Sequence, residues 1–346
     1  MDDLKFYKFE NTEKNLETAT EFETRGFLFL LSFDKNDIQV IFVDCFNDVS
    51  AVNSKHDTIL DLQSKGISNL YPKDIGRALY TLFKNYKSHL NFSSFYLLVP
   101  IIKSDYLVDS TLEKFGFDNF KNCKPNIKKG LIEEFEKRTT LKFDDVLNED
   151  LQKFLSIINF VIDSRPKADV VKDLIRFKNK NLKNINFYES IFEDVRQKQL
   201  VKKTVNIENK KISEINELLK FKKHITRKEI EILLINRIVG VDVFRRNFIP
   251  LTFYQFIQGL DDEDVKDIIQ SCNEKICRAY FDKNSKQAFW KFIESVMERM
   301  KNLGTKKAIE IYEDIESKEG IKSRYMKGLP GKLVISLIVD GVENAD

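Results

Sequence analysis

Histidine is nearly absent, with three in 346 residues, so a histidine-rich metal centre is excluded. The four cysteines, Cys45, Cys123, Cys272 and Cys277, contain no Cys-x-x-Cys pair. No histidine stands near Cys272 and Cys277 to complete a zinc site, so reduced buried thiols are expected. The longest apolar run, Leu333 to Val339, is broken by Ser336 and is far too short to span a bilayer. Charge of one sign is also missing. With 57 Lys and Arg against 54 Asp and Glu, the net charge of +3 gives no overall basic field of the kind that coats nucleic acid. Any nucleic-acid contact must therefore come from local patches or from assembly. There is no Gly-x-Ser-x-Gly elbow, no His-Glu-x-x-His and no nucleotide-binding glycine fingerprint. Gly328 and Gly331 do not form a P-loop, which argues against an autonomous ATPase. The opening Met1-Asp-Asp-Leu-Lys is acidic and unlike a signal peptide, so a cytoplasmic, non-membrane protein is expected, and richness in Lys, Asn, Ile and Phe suggests an AT-rich bacterial genome.

What is present is enough for a full core. At 42% hydrophobic the chain has room for two domains. Helical spacing is expected from Asn15 to Leu31 and from Ile67 to Leu90. Strand-type runs occupy Asp37 to Phe46, Ile59 to Lys65, Phe95 to Pro100 and Phe154 to Ile162, with room for a short strand at Val49 to Asn53. After about Pro166 the pattern changes to charged residues interleaved with Leu and Ile at three- and four-residue spacing. The expectation is an α+β domain over 1–165 and a mainly helical domain over 166–346. Residues 328–341 fit a buried strand or a short buried helix. The aromatic string Phe248 to Phe256 reads as core or as a subunit-contact surface.

Chemistry points to Asp44 through Lys65. Side chains two apart on a strand share a face, so Asp61, Gln63 and Lys65 lie together while Leu60, Leu62 and Ser64 face the other way. A hairpin with the preceding strand would bring Asp48 beside Gln63 and Lys65. A carboxylate and an amide oxygen suit a hard cation such as Mg²⁺, or Mn²⁺ in its place. A neighbouring lysine can orient the attacking water and offset charge on a phosphate. The plainer alternative makes Asp48 a turn residue and Gln63 and Lys65 a solvated strand face. Asp61 reads as a rim residue. The basic stretches Lys178 to Lys203 and Lys222-Lys223-His224 with Arg227-Lys228 read as phosphate contacts or, because acids are threaded among them, as solvated helix faces. His224 has no catalytic partner in sequence and is assigned to surface or capping.

Asp48, Gln63-Ser64-Lys65 and the order of elements around them resemble the PD-(D/E)XK restriction-endonuclease superfamily, whose core runs helix, three antiparallel strands, helix, strand. More narrowly, Arg25-Gly26-Phe27, Asp44, Asp48-Val49 and Gln63-Ser64-Lys65 look like the endonuclease domain of CBASS anti-phage systems, which recurs as the Lamassu effector subunit. The likeness covers about residues 1–165. Asp44 stands where a longer Glu is usual, and Leu30 where a polar helix residue is expected, leaving Glu23 or Glu21 for that role. The resemblance implies a metal-dependent double-stranded DNA endonuclease with Asp48, Gln63 and Asp44 on the metal and Lys65 beside the water. It also implies an SMC-like ATPase and a small subunit as partners, and self-assembly into a homo-oligomer when active. A non-catalytic scaffold that keeps the fold to bind DNA or protein is the second expectation. Some relatives carry a sensor domain for cyclic oligonucleotides, but the charged helical second half lacks that domain's glycine-bearing α/β pattern, so a protein partner is the expected regulator.

Overall fold

The computed structural model describes residues 6–10, 17–33, 38–139, 141–240, 242 and 248–343. The expected ends Asn15 and Asp37 lie outside them. By contacts the chain divides into two compact units, Met1–Leu174 with Tyr188–Ile230, and Ile175–Phe187 with Glu231–Asp346. The boundary expected near residue 165 falls inside the first unit, to which Tyr188–Ile230 returns. The whole is α+β.

The first unit opens with β1 (Tyr7–Lys8), α1 (Glu17–Ser32), β2 (Ile38–Val43), β3 (Val49–Asn53) and β4 (Ile59–Ser64). Next come α2 (Pro72–Ala78), α3 (Tyr80–Tyr86), β5 (Phe92–Val99), β6 (Lys114–Gly116), α4 (Lys124–Thr139), α5 (Asp145–Ile157), β7 (Ile158–Ile162) and α6 (Lys167–Lys172). After α7 (Ile185–Lys203) the short strands β8 (Lys211–Ile212) and β9 (His224–Thr226) complete it, and α8 (Arg227–Val239) leaves it. The main sheet has seven strands in the order β6-β7-β5-β4-β3-β2-β9. The pairs β4–β5 and β5–β7 are parallel and the other four antiparallel. A separate ribbon pairs β1 with β8. Helix, three antiparallel strands, helix, parallel strand is the order the sequence led us to expect.

Three local expectations are corrected. The strand runs of β2 and β4 are not themselves a hairpin, because β3 lies between them and pairs with both. The stretch from Ile67 to Leu90 is not one helix. Tyr71 is extended before Pro72, as pre-proline residues prefer, so α2 starts only there, and it gives way to α3 at Leu79. Phe154 to Ile157 is helix rather than strand. The Asp144 side chain accepts from Leu147 N at 2.8 Å to cap α5, and Leu151, Phe154 and Leu155 bury one helical stripe before β7 begins.

Both faces of β4 are covered. On one side α1 lies so close that a Cβ on Gly26 would stand 2.6 Å from Leu62 Cδ2, so the glycine sets the helix-to-strand distance. On the other side α3 sends Thr81 and Asn85, four residues apart on one helical face, toward β4. All six β4 residues are buried as a result. Leu30 is core.

The second unit contains α9 (Asp262–Phe281), α10 (Lys286–Leu303), α11 (Ala308–Lys318) and α12 (Leu329–Glu343). The apolar run near the carboxyl end is therefore helix, with Leu333 to Val339 all buried. In the aromatic string Phe253 is core, whereas Leu251 and Tyr254 are exposed. Helix α9 is capped by Asp261, which accepts from Glu263 N and Asp264 N.

Candidate functional site

The register of β3 on β4 builds the site. Val49 pairs with Leu62 and Ser50 with Asp61, so Asp48, one residue before β3, arrives beside Gln63 and Ser64. The turn before it is closed by Asp44 N donating to Asp48 O at 2.9 Å, and Asp44 takes a positive φ of 52° to make it. Asp48 is buried and its carboxylate is well occupied. Its Oδ2 accepts from Ser64 N and Ser64 Oγ, each at 2.6 Å, and Gln63 Nε2 stands 3.0 Å from both Asp48 oxygens. Gln63 Oε1 accepts from Thr81 Oγ1 at 3.2 Å. Gln63 is 4% exposed, so it is no part of a solvated face. Lys65 is partly exposed, and its N–H bonds Leu98 O at 2.9 Å to extend the β4–β5 ladder.

These residues meet at a cleft of about 850 Å³, lined by Asp44, Asp48, Gln63 and Lys65 together with Lys203 and Lys223. The last two come from Tyr188–Ile230, far outside the motif. Lys223 Nζ lies 3.4 Å from Asp44 Oδ2 and donates to Val205 O at 3.1 Å. Lys203 pairs with Glu23 of α1. The two lysine side chains are 5% and 9% exposed, which overturns the solvated-face reading for this pair. Other cations of the cleft are also met by acids: Lys84 pairs with Glu10 at 2.6 Å and Arg138 with Glu134 at 2.6 Å.

Of the remaining expected residues, Glu23 is buried behind Lys203, and Glu21 is not brought to the cleft. Glu21 pairs with Arg25 at 3.0 Å and Lys167 at 3.4 Å, in a neighbouring hollow with Arg165 and Glu193. Asp61 is no rim residue. It is fully buried, accepting from Ser50 Oγ at 2.8 Å, from Asn85 Nδ2 at 2.7 Å and from Asn47 Nδ2. Tyr7 Oη in turn donates to Asn85 Oδ1 at 2.7 Å. Burial pushes the Asp61 carboxyl up to about 6, with those hydrogen bonds pulling the other way. His224 is half-buried on β9 against Phe42, and burial lowers its affinity for a proton. Cys45, beside the cleft, has its thiol pushed up by burial. All four cysteines are free; Cys123 and Cys272 are buried, whereas Cys45 and Cys277 keep part of their surface exposed although the Cys45 sulfur itself is enclosed.

Three residues around the site escaped sequence reasoning: Asn47, Thr81 and Asn85. Their signal was faint. Thr81 and Asn85 are the polar pair at i,i+4 on a helix whose Leu82 and Phe83 are core.

Among the described residues no group of three or more His, Cys, Asp or Glu is placed to hold a metal. The donor set is instead one carboxylate, Asp48, with neutral oxygens. Ser64 O lies 3.3 Å from Gln63 Nε2, and rotating the Gln63 amide would bring Oε1 to the Asp48 side. Hard oxygens with few charges suit a single Mg²⁺ that keeps several waters.

No family model matches the chain, and no curated relative matches it. Among solved structures it is similar to the Acinetobacter baumannii Cap4 SAVED/CARF-domain containing receptor. With the cyclic trinucleotide 2'3'3'-cAAA the identity is 12% over 84% of this chain and 67% of that one, at a TM-score of 0.38. With 3'3'3'-cAAA the values are 13%, 84%, 67% and 0.36, and for the receptor named without a nucleotide they are 12%, 84%, 69% and 0.36. Scores this low carry no argument about function. No helix among the described residues is long and apolar enough to cross a membrane.

Proposed function

We propose that the chain is a metal-dependent endonuclease that hydrolyses phosphodiester bonds of double-stranded DNA. The observation that carries the reading is the convergence of Asp48, Gln63 and Lys65 in one open cleft, produced by strand register from residues 15 apart in sequence. Asp48 and the Gln63 and Ser64 oxygens would hold Mg²⁺, or Mn²⁺, with Asp44 at the edge of the same cleft. When bound, the ion supplies a more acidic water and offsets charge on the phosphate oxygens. Lys65 orients that water and faces the developing negative charge. Ser64 N and Oγ fix the Asp48 carboxylate, so the side chain meets the cation already oriented. The resemblance in the motif residues extends the proposal to an effector of bacterial anti-phage defence, of the CBASS or Lamassu kind, held by an SMC-like ATPase and a small subunit and assembling with its own copies when released. Following plasmid nicking while Mg²⁺ or Mn²⁺ is titrated tests the activity, with single-stranded DNA and RNA as competing substrates. A parent chain that binds DNA yet never nicks it at any metal concentration would reject the endonuclease reading.

A second reading has an observation of its own. The Gln63 amide nitrogen faces Asp48, and the cleft's lysines and arginines are met by acids, an arrangement that also suits a nuclease-like scaffold that binds without cutting. The same titration separates the two, because a scaffold gains no metal-dependent thermal stability.

A further inference from the structure

The parallel strands β4 and β5 leave the sheet side by side, since Lys65 N donates to Leu98 O at 2.9 Å just past the last pair, Ser64 with Leu98. Ligands of open α/β sheets bind outside such carboxyl ends. The loop after β4 supplies Ile67, Asn69, Leu70 and Asp74 to the lining of the cleft, and Tyr71 stands among them at its rim, 59% exposed. The loop after β5 brings Lys103 over the Tyr71 ring, its ammonium 5.1 Å from that ring's centroid and 5.9 Å from that of Tyr106. Ile67 and Ile101, one on each loop, are exposed as well. Three exposed apolar side chains on two adjoining loops exceed the singly scattered apolar surface of a soluble domain. The charge here also differs from that of the rest of the cleft. Lys84, Arg138, Lys203 and Lys223 are each met by an acid. Lys103 forms no ion pair among the described residues, and Asp74, the acid of the Tyr71 loop, is taken by Arg77 at 2.9 Å.

An ammonium over one ring face holds the tyrosine in place and leaves the ring able to stack on its exposed side. A nucleobase of any identity offers a flat π face to such a ring, and its phosphate offers a charge to the ammonium. In a continuous duplex the base faces are already stacked on one another. We propose that Tyr71 and Lys103 form a subsite for an unpaired base of the DNA in the cleft. The substrate class is then duplex DNA with unpaired nucleotides, at a fork, gap or bulge, beside the phosphate to be cut. The proposal rests on reading the cleft as an endonuclease site and narrows which DNA it takes.

The test compares binding of the full chain to two labelled duplexes of equal length, one fully paired and one forked at its end, in EDTA so that no strand is cut. The parent should bind the forked DNA about 5- to 100-fold more tightly, the worth of one base stacked on an aromatic ring. Tyr71→Ala should bind the two with nearly equal affinity, and Tyr71→Phe should keep the parent's preference. The tyrosine is largely exposed, so neither change disturbs the core. A 2-aminopurine at the unpaired position should lose fluorescence on binding the parent but not on binding Tyr71→Ala. Lys103→Met should weaken both DNAs and reduce the salt dependence by about one counterion. Equal affinity of the parent for the two DNAs, or a preference that survives Tyr71→Ala, would overturn the subsite and leave the endonuclease reading to the nicking titration. A parent that prefers the forked DNA through Tyr71 yet never nicks it would keep the subsite, as part of a binding scaffold, and reject the endonuclease.

Discussion

Two aspartates of the first unit, 13 residues apart, show how one side-chain type is put to different uses. Both Asp48 and Asp61 are buried, and both accept several hydrogen bonds around β4. Asp61 is enclosed by Asn47, Ser50 and Asn85, all neutral, and its carboxylate has no opening to the cleft. Asp48 is held from one side by Ser64 and Gln63 and lines the cleft on the other. Burial alone therefore does not mark a functional carboxylate; what faces its open side does. The two are linked, because Asn47, which bonds Asp61, is the residue before Asp48. The buried acid thus steadies the turn that presents the open one.

The largest expected effect falls on the open side. Lys65→Ala should lower plasmid cleavage by about 10²–10⁴-fold, the range lost with a general acid–base group. Because Lys65 is partly exposed and its backbone, not its ammonium, joins the ladder, the melting temperature should hardly move. Asp48→Asn should abolish the metal-induced rise in melting temperature, whereas Asp61→Asn should keep it. If Asp61→Asn lost the metal response and Asp48→Asn kept it, the contrast between the two carboxylates would be reversed.

Asp61→Ala should be the most destabilising change at the closed carboxylate. It leaves the Ser50, Asn47 and Asn85 donors unsatisfied in the interior, at about 3 kcal/mol or more in urea unfolding, given roughly 1–3 kcal/mol for each of the three buried orphans.

The strand motif was legible in sequence because period-2 alternation places Asp61, Gln63 and Lys65 on one face whatever surrounds them. The sequence left room for a short third strand at Val49 to Asn53, and β3 fills it. The fate of the polar face was not legible. Whether Asp61 meets water or Asn85 depends on α3 packing over it, and nothing local to Ile59–Ser64 encodes that. Lys223 and Lys203 were unreadable for a similar reason: their charge looks like any solvated lysine until β9 pairs with β2 and carries the segment before it against Asp44, 179 residues away. Leu30 and Glu23 sit on one helix, and only tertiary packing makes the first core and the second the partner of Lys203 at the end of α7.

The closed carboxylate should also reveal itself in pH dependence. Its folded value, about 6, lies above the ordinary 3.8, so the folded state binds the extra proton between these limits. Stability from this group is complete below about pH 3.8 and is lost as pH rises through about 6, a change of about 3 kcal/mol at 1.36 kcal/mol per unit. Urea unfolding of the parent and of Asp61→Asn from pH 4 to 7 measures it, and the slope attributable to Asp61 should vanish in the variant. Equal slopes in the two proteins would place the carboxyl in a more solvated setting than its hydrogen bonds indicate.

The smallest effect sharpens the comparison at Gln63, whose amide separates the open carboxylate from α3. In the present arrangement Thr81 Oγ1 donates to Gln63 Oε1, and Gln63 Nε2 donates to Asp48. Holding a cation with Asp48 requires the amide to rotate, bringing Oε1 to the carboxylate and Nε2 to Thr81. A hydroxyl both donates and accepts, so Thr81 satisfies either orientation and the rotation costs little. Thr81→Val leaves one amide atom unpaired in both orientations. It should therefore lower stability by about 1 kcal/mol, the net worth of one hydrogen bond, while Mn²⁺ affinity stays within about twofold of the parent. A tenfold change in Mn²⁺ affinity would mean that the hydroxyl prefers one orientation, and that Gln63 is set by α3 before any cation arrives.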